Sequence, residues 1–163
     1  MTFNERQDAA RRRILRPWNF KTYLLLRLPL ALCAGLGLRR LDETGCAVSL
    51  PGGWRTQNPF QSTYFAAQVM AAEMAVGAPA LVLVQGAPAS VAMILRGIEA
   101  AFTKRIQGPS QFVFEDVAGL AAAVDRAARS GESESYAGRV EGRTNDGTPA
   151  AEFTVSWSFK RRS

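Results

Sequence analysis

The sequence predicts an α+β fold in which an antiparallel β-sheet wraps around one long, central, apolar helix. The segment from Phe60 to Gly77 carries helix-forming and apolar residues on every side, which is typical of a helix buried all round. The second half of the chain is dominated by short strand-like runs, two of which flank the hairpin signal Asn145-Asp146-Gly147. Runs of antiparallel strands around a segregated helix indicate the α+β class.

The first third of the chain is predicted to hold a basic arm, a helix and a strand. Residues 1–19 are polar and basic, and we expect a mobile arm or a short helix there, followed by a single domain over 20–163. The apolar segment Phe20–Ala34 predicts a buried or interfacial helix that its proline kinks. Residues 38–50 are predicted as the first strand, with a turn within it at 42–45.

The apolar N-terminal segment imitates a signal peptide without matching one. Arg27 and Pro29 interrupt it, and no clean small-residue cleavage site follows. The run is also too short to span a bilayer, which takes about 20 apolar residues. We therefore do not expect secretion, and a membrane-associated role through the basic arm and the apolar helix is only a weak alternative.

The central helix is predicted to begin at Asn58-Pro59, because Asn caps free helix amides and Pro fits the first helical position. Gly77 and Pro79 are predicted to end it. The elements expected beyond it are a strand over 91–107 bent near Gly97, a strand over 111–115, a helix capped by Asp116 and ended by Gly131, and a hairpin of strands 133–144 and 148–160.

The composition excludes several kinds of site. The chain has 163 residues and no histidine, which rules out a Ser/His/Asp triad, a Cys/His pair and a histidine zinc site. We expect no metal and no cofactor. The net charge of +6 favours anionic partners, but no aromatic-studded basic groove or zinc finger indicates nucleic acid. Two cysteines make no disulfide framework and predict reduced thiols in a cytoplasmic protein.

One carboxylate stands out as a candidate for catalysis. Glu73 lies in the run Phe65–Gly77, which is otherwise almost wholly apolar. Apolar surroundings raise the pKa of a carboxyl group, which suits a general base working near neutral pH. The alternative role is structural, with the carboxylate paired to an Arg or a Gln across a dimer interface.

Most of the chain resembles a known enzyme family. The segment Gln57-Asn58-Pro59-Phe60-Gln61-Ser62-Thr63-Tyr64-Phe65-Ala66-Ala67, continuing to Ala72-Glu73, is similar to the signature of hotdog-fold thioesterases. The nearest pattern is that of the DUF4442 group, which is related to PaaI-like acyl-CoA thioesterases. Residues 101–108 and the Asp146-Gly147 turn also resemble the family. The resemblance covers residues 38–160 and implies a hotdog fold.

The resemblance implies hydrolysis of acyl-CoA or a related thioester, with Glu73 as general base or nucleophile. In these enzymes a backbone amide at the helix N-terminus forms the oxyanion hole, and Ala66 would supply it where the family has Gly. Tyr64 occupies the family's His position and would either donate a hydroxyl hydrogen bond or close the pocket. Asn58 would orient water or the carbonyl, if it is not simply a helix cap.

The substrate is expected to lie against polar and basic groups around the helix start. Gln61, Ser62 and Thr63 are placed in the first turn, where free amides attract anions. Lys104 and Arg105 are candidates for binding the phosphates of coenzyme A. The resemblance also implies a homodimer, or a dimer of dimers. Because the family's His-Gly pair is missing, the alternative is a non-catalytic hotdog module that binds acyl or CoA ligands or serves an assembly.

Overall fold

The computed structural model describes residues 2–162. Its helices are α1 (Glu5–Leu15), α2 (Pro17–Arg27), α3 (Pro29–Ala34), α4 (Phe65–Gln85) and α5 (Val117–Ser130). Its strands are β1 (Gly37–Leu41), β2 (Cys46–Leu50), β3 (Val91–Phe102), β4 (Ser110–Phe114), β5 (Glu134–Thr144) and β6 (Pro149–Arg161). The strands form one sheet in the order β1-β2-β4-β5-β6-β3, and every neighbouring pair is antiparallel.

The long helix α4 is the centre of the core. It packs against β2, β3, β4, β5 and β6, and its residues Ala71, Ala75 and Val76 are fully buried. By length and composition alone α4 would qualify as a membrane-spanning helix, but 67% of its most apolar window is buried inside the protein. The predicted α+β arrangement, a sheet around one apolar helix, is therefore confirmed.

The predicted start of this helix was wrong by one and a half turns. The helix begins at Phe65, after Tyr64, and not at Phe60. Asn58 does not cap it, because the Asn58 Oδ1 accepts hydrogen bonds from the amide of Phe60 (3.0 Å) and from the amide and hydroxyl of Ser62 (both 3.1 Å). The Asn58 side chain instead stabilises a turn that precedes the helix, a common alternative use of Asn.

The predicted end of the helix was also wrong. The helix runs through Gly77 and Pro79 to Gln85. A proline inside a helix costs about 3 kcal/mol. The turn beyond it buries Val82 and Leu83, and full burial of such side chains contributes about 1.5–3 kcal/mol each. Burial of the last turn therefore offsets the cost of the proline.

The N-terminal basic segment is helical and packs on the core. The Asn4 side chain accepts a hydrogen bond from the amide of Gln7 and donates one to the carbonyl of Gly86 (both 2.9 Å), which ties the start of α1 to the end of α4. The apolar segment after it forms α2 and α3, which meet at Pro29 as expected. The domain boundary at residue 19 stays a prediction.

The other elements largely follow their predictions. The first predicted strand is two strands joined at the expected turn, where the Asp42 carboxylate accepts hydrogen bonds from Thr44 and Gly45. β3 has an irregularity next to Gly97, where the bend was predicted, but ends at Phe102 rather than at residue 107. Helix α5 and the closing hairpin have the predicted limits to within a few residues.

Candidate active site

Two clefts flank the N-terminus of α4, and Tyr64 lines both. The first, which we call the Glu73 cleft, has a volume of about 830 Å³. It lies between α3, the loop before α4 and the exposed face of α4. Its walls are mostly apolar and are formed by Leu30, Cys33, Ala34, Trp54, Arg55, Thr56, Gln57, Tyr64, Ala66, Ala67, Val69, Met70, Glu73 and Ile98.

Glu73 is a half-buried carboxylate in this cleft. Among residues 2–162 it has neither an ion-pair partner nor a hydrogen-bond donor. Burial raises its pKa above the ordinary value of 4.5. The carboxylate lies over Gly77, because a Cβ built there would be 3.0 Å from Glu73 Oε1 and 3.4 Å from the ring of Trp157. The missing side chain of Gly77 therefore makes the space that the carboxylate occupies.

The first amides of α4 are free to bind an anion. The Tyr64 amide donates to the Thr56 carbonyl (2.7 Å), whereas the amides of Phe65 and Ala66 have no acceptor within the described chain. Tyr64 is 46% exposed and offers no side-chain cap. Ala66 lies in the Glu73 cleft, so its N–H can meet a developing oxyanion there.

The carboxylate and the free amides lie far apart on one helix. Ala66 and Glu73 are seven residues apart, so they share a face but are separated by about 10 Å along the axis. The carboxylate itself points further away, over Gly77. A carbonyl bound at the Ala66 amide is thus out of reach of the Glu73 carboxylate of the same chain.

The second cleft, the Lys104 cleft, has a volume of about 520 Å³ and lies on the other side of Tyr64. Lys104 and Arg105 are exposed and lie beside aromatic walls. The cleft also holds the Gln68 side chain, which is 6% exposed. Its Nε2 donates to the Thr63 carbonyl (2.9 Å), and its Oε1 has no partner. The lining residues are Asn58, Pro59, Phe60, Ser62, Thr63, Tyr64, Phe65, Gln68, Phe102, Thr103, Lys104, Arg105 and Ile106.

The candidate residues from the sequence fall into two groups, with Tyr64 between them. Ala66 and Glu73 line the Glu73 cleft, whereas the Lys104 cleft brings together Asn58, Ser62, Thr63, Lys104 and Arg105. Gln61 lines neither cleft; it sits in the turn before α4 at φ +57°. None of Gln61, Ser62 and Thr63 lies in the first turn of α4.

The apolar wall of the Glu73 cleft was not predicted from the sequence. Val69 and Met70 lie four and three residues before Glu73, so helical spacing could have placed them on its face. Leu30, Trp54 and Ile98 come from three other segments, and only the tertiary fold brings them to Glu73.

A family model described as a domain of unknown function, DUF4442, matches residues 16–159. No curated protein matches the chain. Among solved structures, the protein OLEI01261 of unknown function from Chlorobaculum tepidum TLS is 15% identical, with 91% of this chain and 98% of that chain covered and a TM-score of 0.75. PA5026 from Pseudomonas aeruginosa, described as a probable thioesterase, is 17% identical, with 90% and 97% covered and a TM-score of 0.73.

A third similar structure is the PaaI protein from the phenylacetic acid degradation operon of Escherichia coli, at 13% identity, with 90% and 93% covered and a TM-score of 0.60. The fold defined by the sheet and its central helix is the hotdog fold, as the resemblance implied. The chain belongs to the DUF4442 family.

The packing of Glu73 against Gly77 can be tested by a double-mutant cycle. A helical Gly→Ala substitution ordinarily stabilises by about 1 kcal/mol. We expect that gain for Gly77→Ala when Glu73 is already Ala, and a smaller gain or a loss when Glu73 is present, because the added methyl group displaces the carboxylate. Urea unfolding of the four variants measures the coupling. Equal effects in the two backgrounds would show that the carboxylate does not occupy this space.

The raised pKa of Glu73 predicts a pH-dependent effect of Glu73→Gln on stability. The folded state holds this proton more tightly than the unfolded state, so wild-type stability falls as pH rises from about 4.5 through the folded pKa. Glutamine does not titrate, so the variant lacks this loss of stability with rising pH. Thermal unfolding at pH 4 should give similar Tm values for the two proteins, and at pH 8 the variant should have the higher Tm. A Tm difference that does not change with pH would contradict the burial of a titrating carboxylate.

Proposed function

We propose that this protein hydrolyses acyl-CoA or a closely related thioester, with Glu73 as the general base. The observation that carries the proposal is the unpaired, half-buried carboxylate of Glu73 in an apolar cleft that also holds a free helix N-terminal amide, that of Ala66. The descriptions of PA5026 as a probable thioesterase and of other similar structures as thioesterases support it.

The proposed reaction follows from these groups. The acyl chain lies against the apolar wall of the Glu73 cleft, and the thioester carbonyl oxygen accepts a hydrogen bond from the Ala66 amide. A Glu73 carboxylate supplied by a second copy of the chain takes a proton from water as the water oxygen attacks the carbonyl carbon. The tetrahedral intermediate then collapses, the carbon–sulfur bond breaks, and the sulfur leaves with the proton. The products are the carboxylic acid and the free thiol.

The polar part of the substrate is assigned to the Lys104 cleft. Lys104 and Arg105 have no carboxylate partner among residues 2–162, so they are available to the phosphates of coenzyme A. Tyr64 lies between the two clefts, where its hydroxyl can form a hydrogen bond to the thioester or to the amide-containing arm of coenzyme A. Asn58 acts indirectly, since its side chain is used to hold the turn of Ser62 in place.

The reaction requires two chains, and we propose a homodimer. Because the Glu73 carboxylate of one chain does not reach the Ala66 amide of that chain, a second copy must bring its own Glu73 to this amide. Cytoplasmic location belongs to the same proposal and agrees with the two free cysteines, Cys33 and Cys46.

The edge strand β3 is the proposed dimer contact. It is twelve residues long and pairs with β6 on one side only. Ile94, Leu95 and Phe102 on it are 59%, 39% and 47% exposed. The unpaired backbone groups of a long, apolar edge strand can form hydrogen bonds with a strand of another chain. The opposite edge, β1, has five residues, an irregularity and exposed or half-exposed arginines, which protect it from pairing.

Glu73→Gln tests the chemistry. Removal of a general base lowers rates by about 10²–10⁴-fold, so we expect that loss in kcat, measured by thiol release over a panel of acyl-CoA chain lengths. In wild type, kcat/KM should fall as the pH drops through the raised pKa of Glu73, above 4.5. The matched control is Glu152→Gln, an exposed carboxylate on β6, which should retain wild-type kcat.

Two results would contradict the proposal. One is wild-type turnover by a folded Glu73→Gln variant, which would exclude Glu73 as the base. The other is the absence of turnover on every acyl-CoA, which would favour the alternative of a non-catalytic acyl or CoA binding module. The exposed Tyr64 and the Cβ of Ala66 at the family's His and Gly positions are the features that favour that alternative.

The dimer is tested with Ile94→Asp. Wild type should have twice the chain mass of 17.7 kDa by light scattering, and the variant should be a monomer, because a charge replaces an apolar contact at the strand edge. The monomer should also lose activity although its Glu73 is intact. Leu26→Asp, at a more exposed position on α2, is the control and should remain dimeric. An active monomer would contradict a site shared between chains.

A further inference from the structure

The outer face of α2 and the turn after it form an apolar surface that the proposed site does not use. We call it the α2 patch and define it by Trp18, Leu25, Leu26, Leu28 and Leu30, which are 81%, 60%, 72%, 40% and 72% exposed. Exposed apolar groups that follow one another in this way mark an interaction surface.

The two faces of α2 are both apolar, but only one is covered. Phe20 and Leu24 point into the core and are 5% and 0% exposed. Trp18 and Leu25 are seven residues apart and therefore share the opposite, outward face. Packing against the core accounts for the apolar residues of the inner face. The apolar residues of the outer face require a different explanation, such as contact with another molecule.

In the stretch of sequence that holds the patch, every charged residue is basic. Between Ala9 and Leu41 the chain has eight Lys and Arg residues and no Asp or Glu. Four of these cations are exposed and have no carboxylate partner among residues 2–162: Arg13, Arg16, Lys21 and Arg27. The Lys21 Nζ lies 5.7 Å from the centre of the Trp18 ring, so charge and apolar surface are directly adjacent.

We propose that the α2 patch docks the protein on the surface of an anionic phospholipid bilayer. Exposed Trp and Leu side chains next to Lys and Arg are the composition of a helix that lies in the membrane interface. The apolar side chains enter the upper acyl region, and the cations meet the anionic headgroups. With eleven residues, α2 is about 16 Å long and lies on the bilayer without spanning it.

A bilayer fits the patch better than a second copy of the chain does. A two-fold contact through α2 would place the unpaired cations of both chains against one another, which is unfavourable. An anionic surface neutralises the same cations. The edge strand β3 carries exposed apolar groups together with charges of both signs, Arg96 and Glu99, so it is the better surface for a contact between chains.

The position of the patch links docking to the Glu73 cleft. Leu30 belongs to the patch and lines that cleft, together with Cys33 and the 86% exposed Trp54. Docking through the patch therefore brings the cleft to the bilayer surface. If the proposed hydrolysis holds, an acyl chain can pass from the bilayer into the cleft; the docking itself does not depend on hydrolysis.

Vesicle co-sedimentation of the whole protein tests the proposal. We expect binding to vesicles of phosphatidylcholine mixed with phosphatidylglycerol, little binding to phosphatidylcholine alone, and weaker binding as salt rises. Leu26→Asp and Trp18→Ala should each weaken binding. Each cation near an anionic surface contributes about fivefold in partitioning, so loss of three should weaken it by about 100-fold. The triple variant is Arg16→Gln, Lys21→Gln and Arg27→Gln.

The matched control removes the same charge from elsewhere on the surface, with the substitutions Arg126→Gln, Arg129→Gln and Lys160→Gln. It should bind vesicles much more tightly than the α2 triple variant. Because Arg16, Lys21 and Arg27 are all exposed, their removal leaves the core intact and keeps the test valid even if Leu26→Asp fails to fold.

Three outcomes would overturn docking: no sedimentation of folded wild type with anionic vesicles, equal loss in the two triple variants, or conversion of the dimer to a monomer by Leu26→Asp. The last outcome would make the patch a contact between chains. Two measurements separate docking from catalysis. Glu73→Gln should still sediment with anionic vesicles, and Leu26→Asp should still hydrolyse a soluble short-chain acyl-CoA. Either proposal can therefore fail without the other.

Discussion

The close packing of α4 against the sheet is the contact on which the rest of the structure depends. The buried side of α4 is rich in alanine, so the strands can approach its backbone closely and curl around it. At Gly138 on β5 the approach leaves little room for a side chain, because a Cβ there would lie 3.0 Å from Val76 and 3.1 Å from Phe114. Small residues on the helix and a glycine on the sheet thus set the curvature, and large side chains such as Phe112 and Phe159 fill the space on either side.

The same packing determines where on α4 a carboxylate can be accommodated. The sheet together with α1 and α5 covers most of α4 and leaves a strip that includes Val69, Met70 and Glu73. A carboxylate elsewhere on the helix would be buried without a partner at a prohibitive cost. On this strip it is partly desolvated, which raises its pKa, yet it remains accessible from the cleft. The groove over Gly77 gives it a defined position, so the helix supplies both the electrostatic environment and the geometry.

The sequence predicts the fold well because its strongest patterns are local. The all-round apolar run indicates a buried helix, and the Asp146-Gly147 turn indicates the closing hairpin. The helix ends were wrong where tertiary contacts overrode local preference. Asn58 bonds to its own turn instead of capping α4, and burial carries α4 past Pro79. For the site, Glu73 could be singled out as the odd charge in an apolar run. The cleft wall could not, because Leu30 and Trp54 reach it only through the fold.

The direction of the Glu73 side chain links the proposed site to the proposed homodimer. In the proposed reaction the Ala66 amide in the first turn of α4 stabilises the developing charge, and the proton goes to a carboxylate about two turns further on that leans away from this amide. The Ala66 amide and the Glu73 carboxylate of one helix are too far apart to act on the same carbonyl group. Two helices can, if a second chain lies beside the exposed strip and adds its Glu73. The strip on α4 and the edge of β3 are both left uncovered, and Ile98 of β3 lines the Glu73 cleft. A contact along β3 would therefore bring the second chain to the cleft, so the surface that joins the chains would also complete the site.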